Sequence, residues 1–166
     1  MLIYHMLKLK FLLLLSGLLL AAPSFAQHVV VIKFPELQKR LASPTDTTYV
    51  VNFWATWCGP CVKELSNFEQ LRMANANKKV KVLLVSLDYA SQLDKKVRPF
   101  VKLRGLKSEV LLLNEPDPNE WIDKVDAKWS GALPFTLIFN NSSKRRASFE
   151  RELSAAELTA VLKKFQ

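Results

Sequence analysis

Two cysteines three positions apart are the residues of this chain best suited to chemistry. Cys58 and Cys61 stand in the segment Trp57-Cys58-Gly59-Pro60-Cys61, and they are the only cysteines of the chain. Thiols at this spacing can close a small disulfide ring and reopen it, and the thiolate is the reactive form. The segment therefore predicts thiol–disulfide exchange.

The cysteine pair lies between a predicted buried strand and a predicted helix. Thr48–Trp54 is a continuous apolar run of strand length, and helical spacing follows over residues 60–75. Cys58 would then lie at the helix N-terminus, where unpaired N–H groups and the helix dipole favour a thiolate. Pro60 suits the first turn because it has no N–H to leave unpaired. We expect Cys58 to be the nucleophile and Cys61, one turn deeper, to be the resolving thiol.

Other uses of two cysteines are less well supported. A zinc site needs two more ligands, and His28 is the only histidine beyond the N-terminal segment. A copper metallochaperone would need soft ligands near the pair, and Met73 is the only methionine in that part of the chain. A purely structural disulfide would close a loop too small to remove much chain entropy. We therefore expect no bound metal, and the CxxC metallochaperone stays a weaker alternative.

Residues 1–26 have the pattern of a secretory signal peptide. Two lysines precede an apolar core from Phe11 to Ala22, and Ser24-Phe25-Ala26 offers small residues at the two positions that a signal peptidase inspects. We expect cleavage after Ala26 and a domain over residues 27–166 that is exported to a bacterial periplasm, where cysteines can pair. An uncleaved membrane anchor facing the periplasm is the alternative, which the short apolar core disfavours.

The composition fits one globular domain. The chain has 166 residues, of which 49% are hydrophobic, so it can bury a core and is too apolar for intrinsic disorder. Its net charge is +9, but the basic residues are scattered and are not interleaved with aromatic ones, so we expect no nucleic-acid binding. A solvated basic surface is favoured over a docking patch for acidic partners or lipid headgroups.

Strands and helices alternate along the rest of the chain. Strands are predicted over residues 29–34, 48–54, 80–87, 109–113, 135–139 and 144–149, and helices over 35–42, 60–75, 91–103, 120–128 and 154–165. Pro99 is expected to kink its helix, and Ser154 and Glu157 are in capping-box register. This order predicts one α/β domain with a parallel sheet core and an antiparallel hairpin at one edge.

Two segments resemble a known family. Residues 51–65, VNFWATWCGPCVKEL, resemble the active-site segment of the TlpA/ResA branch of exported thioredoxin-like thiol–disulfide oxidoreductases. Residues 129–136, WSGALPFT, resemble the segment that carries the cis-proline of that family. The resemblance implies a thioredoxin-like fold, in which a central mixed sheet is flanked by helices. It also implies an extra strand–helix insertion between Glu109 and Lys128, before the cis-proline.

The resemblance implies roles for residues around the cysteine pair. Pro134 would be cis and would hold the backbone of Leu133 ready to pair with an extended substrate segment. Trp57 would form an apolar collar beside the sulfur atoms, and Gly59 and Pro60 would support the site between the cysteines.

One departure from thioredoxin concerns the proton of the resolving thiol. Thioredoxin has a buried aspartate where this chain has Asn52, and an amide cannot accept the proton of Cys61. Glu64 lies one helical turn beyond Cys61 and is a candidate acceptor. The alternative, which the sequence supports equally well, is that Glu64 is an ordinary acidic residue in the first turn of the helix.

The resemblance also implies a function. It predicts a periplasmic disulfide reductase whose partners are protein disulfide substrates, such as the haem-site thiols of apocytochrome c, and a membrane electron donor. We expect no cofactor, since the chain carries no nucleotide or flavin motif. A thiol oxidase acting in the opposite direction is the closer alternative, although Gly59-Pro60 resembles the dipeptide of reducing thioredoxins.

Overall fold

The computed structural model describes residues 28–165, which form one six-stranded mixed sheet with helices packed on both of its faces. The predicted signal peptide, residues 1–26, lies outside the described residues. The strands are β1 (Val29–Ile32), β2 (Thr48–Trp54), β3 (Val80–Ser86), β4 (Glu109–Leu113), β5 (Phe135–Asn140) and β6 (Arg145–Phe149). The helices are α1 (Phe34–Leu41), α2 (Gly59–Ala74), α3 (Arg98–Leu103), α4 (Ile122–Val125) and α5 (Ala155–Leu162).

The strand order is β1-β4-β3-β2-β5-β6. The first four of these strands are parallel, and β5 and β6 form an antiparallel hairpin on the other side of β2. The predicted parallel core with an antiparallel edge hairpin is therefore confirmed. Strand β4 lies between β1 and β3, which places the predicted insertion inside the sheet rather than beside it.

The two faces of the sheet bury separate hydrophobic clusters, because successive side chains of a strand point to opposite faces. One cluster contains both cysteines and the apolar sides of α2, α3 and α5. The other contains the buried residues of α1 and α4. Val50 and Val51 of β2 are both fully buried, one in each cluster. The cysteine pair thus belongs to the core on the face that α2 covers.

The segment predicted as one helix over residues 91–103 is divided into three pieces. A 3-10 turn at Ala90–Gln92 and a π turn at Leu93–Val97 precede α3. Pro99 is the second residue of α3 and has no N–H to continue the α-helical ladder, so the preceding turn widens. The helix type thus changes just before Pro99, and the kink expected there stays a prediction.

The helix predicted over residues 120–128 is much shorter than expected. A 3-10 turn at Pro118–Glu120 is followed by the single turn of α4, and Asp126 returns to an extended conformation. Trp121 and Trp129, on either side of this turn, are both buried, and the rings of Trp129 and Phe135 stack with centroids 4.3 Å apart. Burial of the two indoles in the aromatic cluster therefore decides where this helix ends.

The last helix begins as predicted. Ser154 Oγ accepts a hydrogen bond from the Glu157 N–H, and Glu157 Oε2 accepts one from the Ser154 N–H, which completes the capping box. The cap fixes the chain just after Leu153, whose backbone N–H contributes to the site described below. Across residues 28–165, no helix is long and apolar enough to cross a bilayer.

Candidate active site

Cys58 and Cys61 form a disulfide at the N-terminus of α2, with their Cα atoms 5.3 Å apart. Cys58 is the N-cap residue, and its Sγ accepts a hydrogen bond of 3.3 Å from the Cys61 N–H. That N–H is one of the helix donors that have no partner within the helix itself. In the reduced pair the same donor and the helix dipole would favour a thiolate on Cys58.

The two sulfur-bearing residues differ in exposure. Cys58 is 6% exposed and Cys61 is fully buried, so a substrate sulfur can approach Cys58 only. Gly59 and Pro60, the first two residues of α2, are exposed beside Cys58. Trp57, the predicted apolar collar beside the sulfur atoms, is 68% exposed. Trp57 lines an open cavity of about 280 Å³ together with Asp88 and Tyr89.

A buried carboxylate holds the loop that leads into the cysteine pair. Asp88 follows β3, and its carboxylate accepts hydrogen bonds from the Thr56 N–H at 3.0 Å, the Thr56 hydroxyl at 2.6 Å and the Ser86 hydroxyl at 2.8 Å. The loop after β2 is thereby tied to the end of β3. Asp88 thus positions the segment just before Cys58.

The loop before β5 lies against the same core. The Leu133–Pro134 peptide bond is cis, as predicted. Pro134 is buried, and Leu133 is partly buried against the cluster that contains both cysteines. The indole N–H of Trp129 donates to the Ala132 carbonyl at 2.8 Å and holds the start of this loop. Leu133 also packs against the cluster on the other face, so the cis-proline loop contacts both clusters, one of which contains the disulfide.

Glu64 is fully buried inside the domain, one turn of α2 beyond Cys61. Its Oε1 accepts a hydrogen bond of 2.8 Å from Asn52 Nδ2, and its Oε2 accepts one of 2.7 Å from the Leu153 N–H. Asn52 Nδ2 also donates to Thr136 Oγ1 at 3.1 Å. The interpretation of Glu64 as an ordinary first-turn acid is wrong, because Glu64 lies beyond the first turn and has no contact with solvent.

Burial changes the acidity of this carboxyl group. Desolvation raises the pKa of Glu64 from 4.5 to about 7, although the hydrogen bonds from Leu153 and Asn52 act in the opposite direction. No cation takes part in this network, so the ionised form is stabilised only by neutral donors. A carboxyl group with a pKa near 7 can both accept and release a proton at physiological pH.

Sequence patterns locate part of this site and miss the rest. The cysteine pair at the start of α2, the cis Leu133–Pro134 bond and Glu64 one turn beyond Cys61 are found where the sequence predicts them. The sequence alone does not predict the Asn52–Glu64 hydrogen bond. The only indication of it in the sequence is Asn52 itself, a polar residue in the middle of an otherwise apolar central strand. Among residues 28–165, no group of three or more His, Cys, Asp or Glu side chains could hold a metal ion.

A mixed sheet with a CxxC disulfide at the start of the helix after its central strand defines the class, which is that of thioredoxin-like domains. A family model described as the AhpC/TSA family matches residues 21–147. The chain therefore belongs to the AhpC/TSA family.

Curated relatives carry names that agree with this class. The sporulation thiol–disulfide oxidoreductase A of Bacillus subtilis is 33% identical over 63 residues, which are 38% of each chain. The thiol–disulfide oxidoreductase ResA of Bacillus thuringiensis is 29% identical over 114 residues, which are 69% of this chain and 61% of that protein. The matches thus span less than two thirds of the length of these relatives.

Solved structures agree with the fold. A thioredoxin-related protein from Neisseria meningitidis serogroup B superposes with a TM-score of 0.63 at 25% identity, over 75% of this chain and 89% of that one. StoA from Bacillus subtilis superposes with a TM-score of 0.56 at 22% identity, over 70% and 82% of the two chains. The thioredoxin-like fold class predicted from the sequence is confirmed.

Proposed function

We propose that this protein is an exported thiol–disulfide oxidoreductase that reduces disulfides of extracytoplasmic proteins through Cys58 and Cys61. One observation carries the proposal. The cysteine pair caps α2 with a helix N–H directed at Cys58 Sγ, while Cys61 is buried behind it. This arrangement provides one accessible nucleophile and one protected resolving thiol. The names of the relatives support the same activity.

The reaction starts from the reduced pair. The Cys58 thiolate attacks one sulfur of a substrate disulfide, forms a mixed disulfide and releases the other substrate sulfur as a thiolate, which takes up a proton. Cys61 then loses its proton, and its thiolate attacks Cys58 Sγ. The bond between Cys58 and the substrate breaks, and the substrate leaves fully reduced. Two electrons have passed to the substrate, and the pair is left as the disulfide seen in the structure.

Glu64 is the proposed acceptor of the Cys61 proton. The two residues lie three positions apart on α2, which places them on the same side of the helix. Both are fully buried, so bulk water has no direct access to the thiol. Asn52 and the Leu153 N–H hold the carboxylate in place from the strand and from the chain before α5. Glu64 therefore takes the role that a buried aspartate has in thioredoxin.

Leu133 and Pro134 are the proposed substrate-binding segment, because the partly buried Leu133 lies against the cluster that contains both cysteines. The proposed partners are disulfide-containing protein substrates and a membrane electron donor that reduces the pair after each cycle. Export depends on the signal-peptide pattern of residues 1–26. The assignment of apocytochrome c as a substrate depends on family resemblance alone.

The direction of the reaction can be tested with two standard protein substrates. We expect the protein, with dithiothreitol as electron donor, to accelerate the reduction of insulin disulfides. We expect it to be a poor catalyst of disulfide formation in reduced ribonuclease. Fast oxidation of ribonuclease with little insulin reduction would instead favour the thiol oxidase. Activity in neither assay, together with stoichiometric binding of copper by the reduced protein, would favour the metallochaperone.

A further inference from the structure

A long groove begins beside the active site and runs along the outer side of α2. Its volume is about 700 Å³, and it lies between α2 and the loop that follows α3. Gly59, the neighbour of Cys58, lines one end, and Met73, which is 60% exposed, lines the other. The intervening part of α2 is about 21 Å long at 1.5 Å per residue. One end of the groove thus lies at Gly59, the residue that follows the reactive Cys58 in the chain.

The far wall of the groove is held in place by contacts with α2. Gly105 has φ +61, a left-handed conformation that turns the chain back after α3. The Ser108 N–H then donates to Glu69 Oε1 at 2.8 Å, which fastens the loop to α2. The Arg104 guanidinium lies over the Phe100 ring, 5.4 Å from its centroid. The groove is therefore formed before any partner arrives.

Most of the charged residues that line the groove are basic. Four basic residues and one acidic residue line it: Lys63, Arg72, Arg104, Lys107 and Glu69. The single carboxylate is already engaged, since Glu69 accepts hydrogen bonds from the Ser108 N–H and from Arg72 Nε. Within residues 28–165, no ion pair involves Arg104 or Lys107, and both are exposed. Two cations therefore face the groove without a carboxylate partner in the described chain.

A third cation of the groove, Lys63, forms only an exposed ion pair. Lys63 pairs with Glu152 at 2.9 Å, but the lysine side chain is 76% exposed. Surface pairs of this kind contribute little stability, so a partner carboxylate can replace Glu152 at small cost. The groove can therefore offer Lys63, Arg104 and Lys107 to an anionic partner along its length.

The shape of the groove favours a polypeptide as that partner. An extended chain rises about 3.3 Å per residue, so about six residues would fill the length of the groove. A lipid bilayer is flat at this scale and would contact the rims rather than the floor. The groove opens at Gly59, so a chain lying in it would place its next residues at Cys58.

We infer that this groove binds an acidic, extended segment next to the reactive cysteine of a partner protein. The inference rests on the proposed function and specifies its partner: a protein with a run of aspartate or glutamate close to the cysteine that exchanges with Cys58. Electrostatic attraction along the groove would raise the rate of encounter and fix the direction in which the segment lies.

The test compares two disulfide-bridged peptides. One carries glutamates throughout the six residues that adjoin its disulfide cysteine, so that they span the groove from Gly59 to Arg104 and Lys107, and the other carries glutamines at the same positions. Each rate of reduction by the protein is divided by the rate of the same peptide with dithiothreitol alone, which removes intrinsic differences between the peptides. We expect this normalised rate to be about tenfold higher for the glutamate peptide at low salt, and we expect the preference to decrease as salt is added.

Two matched double variants identify the surface responsible. Arg104→Glu with Lys107→Glu should reduce the peptide preference to about one, and the milder Arg104→Gln with Lys107→Gln should reduce it in part. Lys95→Glu with Lys96→Glu makes the same change in net charge at exposed positions outside the groove, and it should keep the preference.

Three results would overturn the inference. The first is equal normalised reduction of both peptides by the unmodified protein. The second is an equal loss of preference in both double variants, which would indicate net charge rather than the groove. The third is the absence of any peptide preference together with binding to phosphatidylglycerol vesicles that requires Arg104 and Lys107, which would assign the surface to a membrane. Failure to reduce either peptide would count against the proposed function itself.

Discussion

Replacement of Cys58 by serine is expected to reduce disulfide exchange to the uncatalysed rate. Of the two cysteines only Cys58 has any exposure to solvent, and a helix N–H donates to its sulfur. A serine hydroxyl is not ionised at neutral pH and cannot replace the thiolate as nucleophile. The measurement is the rate of insulin reduction with dithiothreitol as the electron donor.

Replacement of Cys61 by serine should have a different outcome. Cys58 can still attack a substrate, but nothing resolves the mixed disulfide, so the complex should accumulate and be visible on a non-reducing gel. The Cys58→Ser variant is the matched control and should trap nothing. Equal trapping by both variants would contradict the assignment of nucleophile and resolving thiol. Both variants remove the same disulfide, so their comparison is unaffected by any loss of stability.

Glu64→Gln is expected to remove a pH dependence of stability. The pKa of Glu64 is about 7 in the folded protein and 4.5 for a glutamate free in water, so the unfolded chain ionises first as the pH rises. The free energy of unfolding of the parent protein should therefore fall between pH 4.5 and pH 7, by about 3 kcal/mol in total. In Glu64→Gln this component should be absent, so the variant should be the more stable protein at pH 8.

The glutamine side chain suits this position. Its oxygen can accept the hydrogen bond from the Leu153 N–H. Its amide can donate to Asn52 Oδ1, which has no hydrogen-bond partner, once the Asn52 amide flips and presents Oδ1 in place of Nδ2. Urea unfolding at pH 5 and pH 8 measures the effect. Glu120→Gln, which removes an exposed carboxyl group, is the control and should follow the parent protein. A parallel pH dependence of Glu64→Gln and the parent would contradict a buried, neutral carboxyl group.

The same substitution tests the role of Glu64 in catalysis. Loss of the proton acceptor should slow resolution of the mixed disulfide at pH 8 by about 10²-fold, at the lower end of the range for general acid–base catalysis. The parent rate should rise through a midpoint near pH 7 that the variant lacks. Formation of the mixed disulfide by Cys58 should be affected much less. A rate that falls with no change in the pH profile would indicate a structural role only.

The sequence was informative where a function depends on residues close together in the chain. The disulfide pair, the strand before it and the helix after it occupy consecutive positions, so their types and spacing predict the geometry at Cys58. The capping box of Ser154 and Glu157 is another local pattern, and it is confirmed.

Features that depend on distant residues could not be predicted. The burial of Glu64 requires Asn52 from β2 and the backbone of Leu153, which meet only after the sheet and α5 are packed. The short α4 depends on where Trp121 and Trp129 are buried, and helical periodicity does not contain this information. The basic groove combines residues from α2 with residues from the loop after α3. It therefore cannot be recognised from a run of charged residues in the sequence.

The reduction potential of the Cys58–Cys61 pair is the measurement that tests the central claim most directly. It can be obtained by equilibrating the protein with glutathione or dithiothreitol buffers and following the fluorescence of the exposed Trp57 beside the pair. A disulfide reductase predicts a value near about −270 mV, like that of thioredoxin. A value near about −120 mV would make the protein an oxidant and would contradict the proposed direction of electron flow.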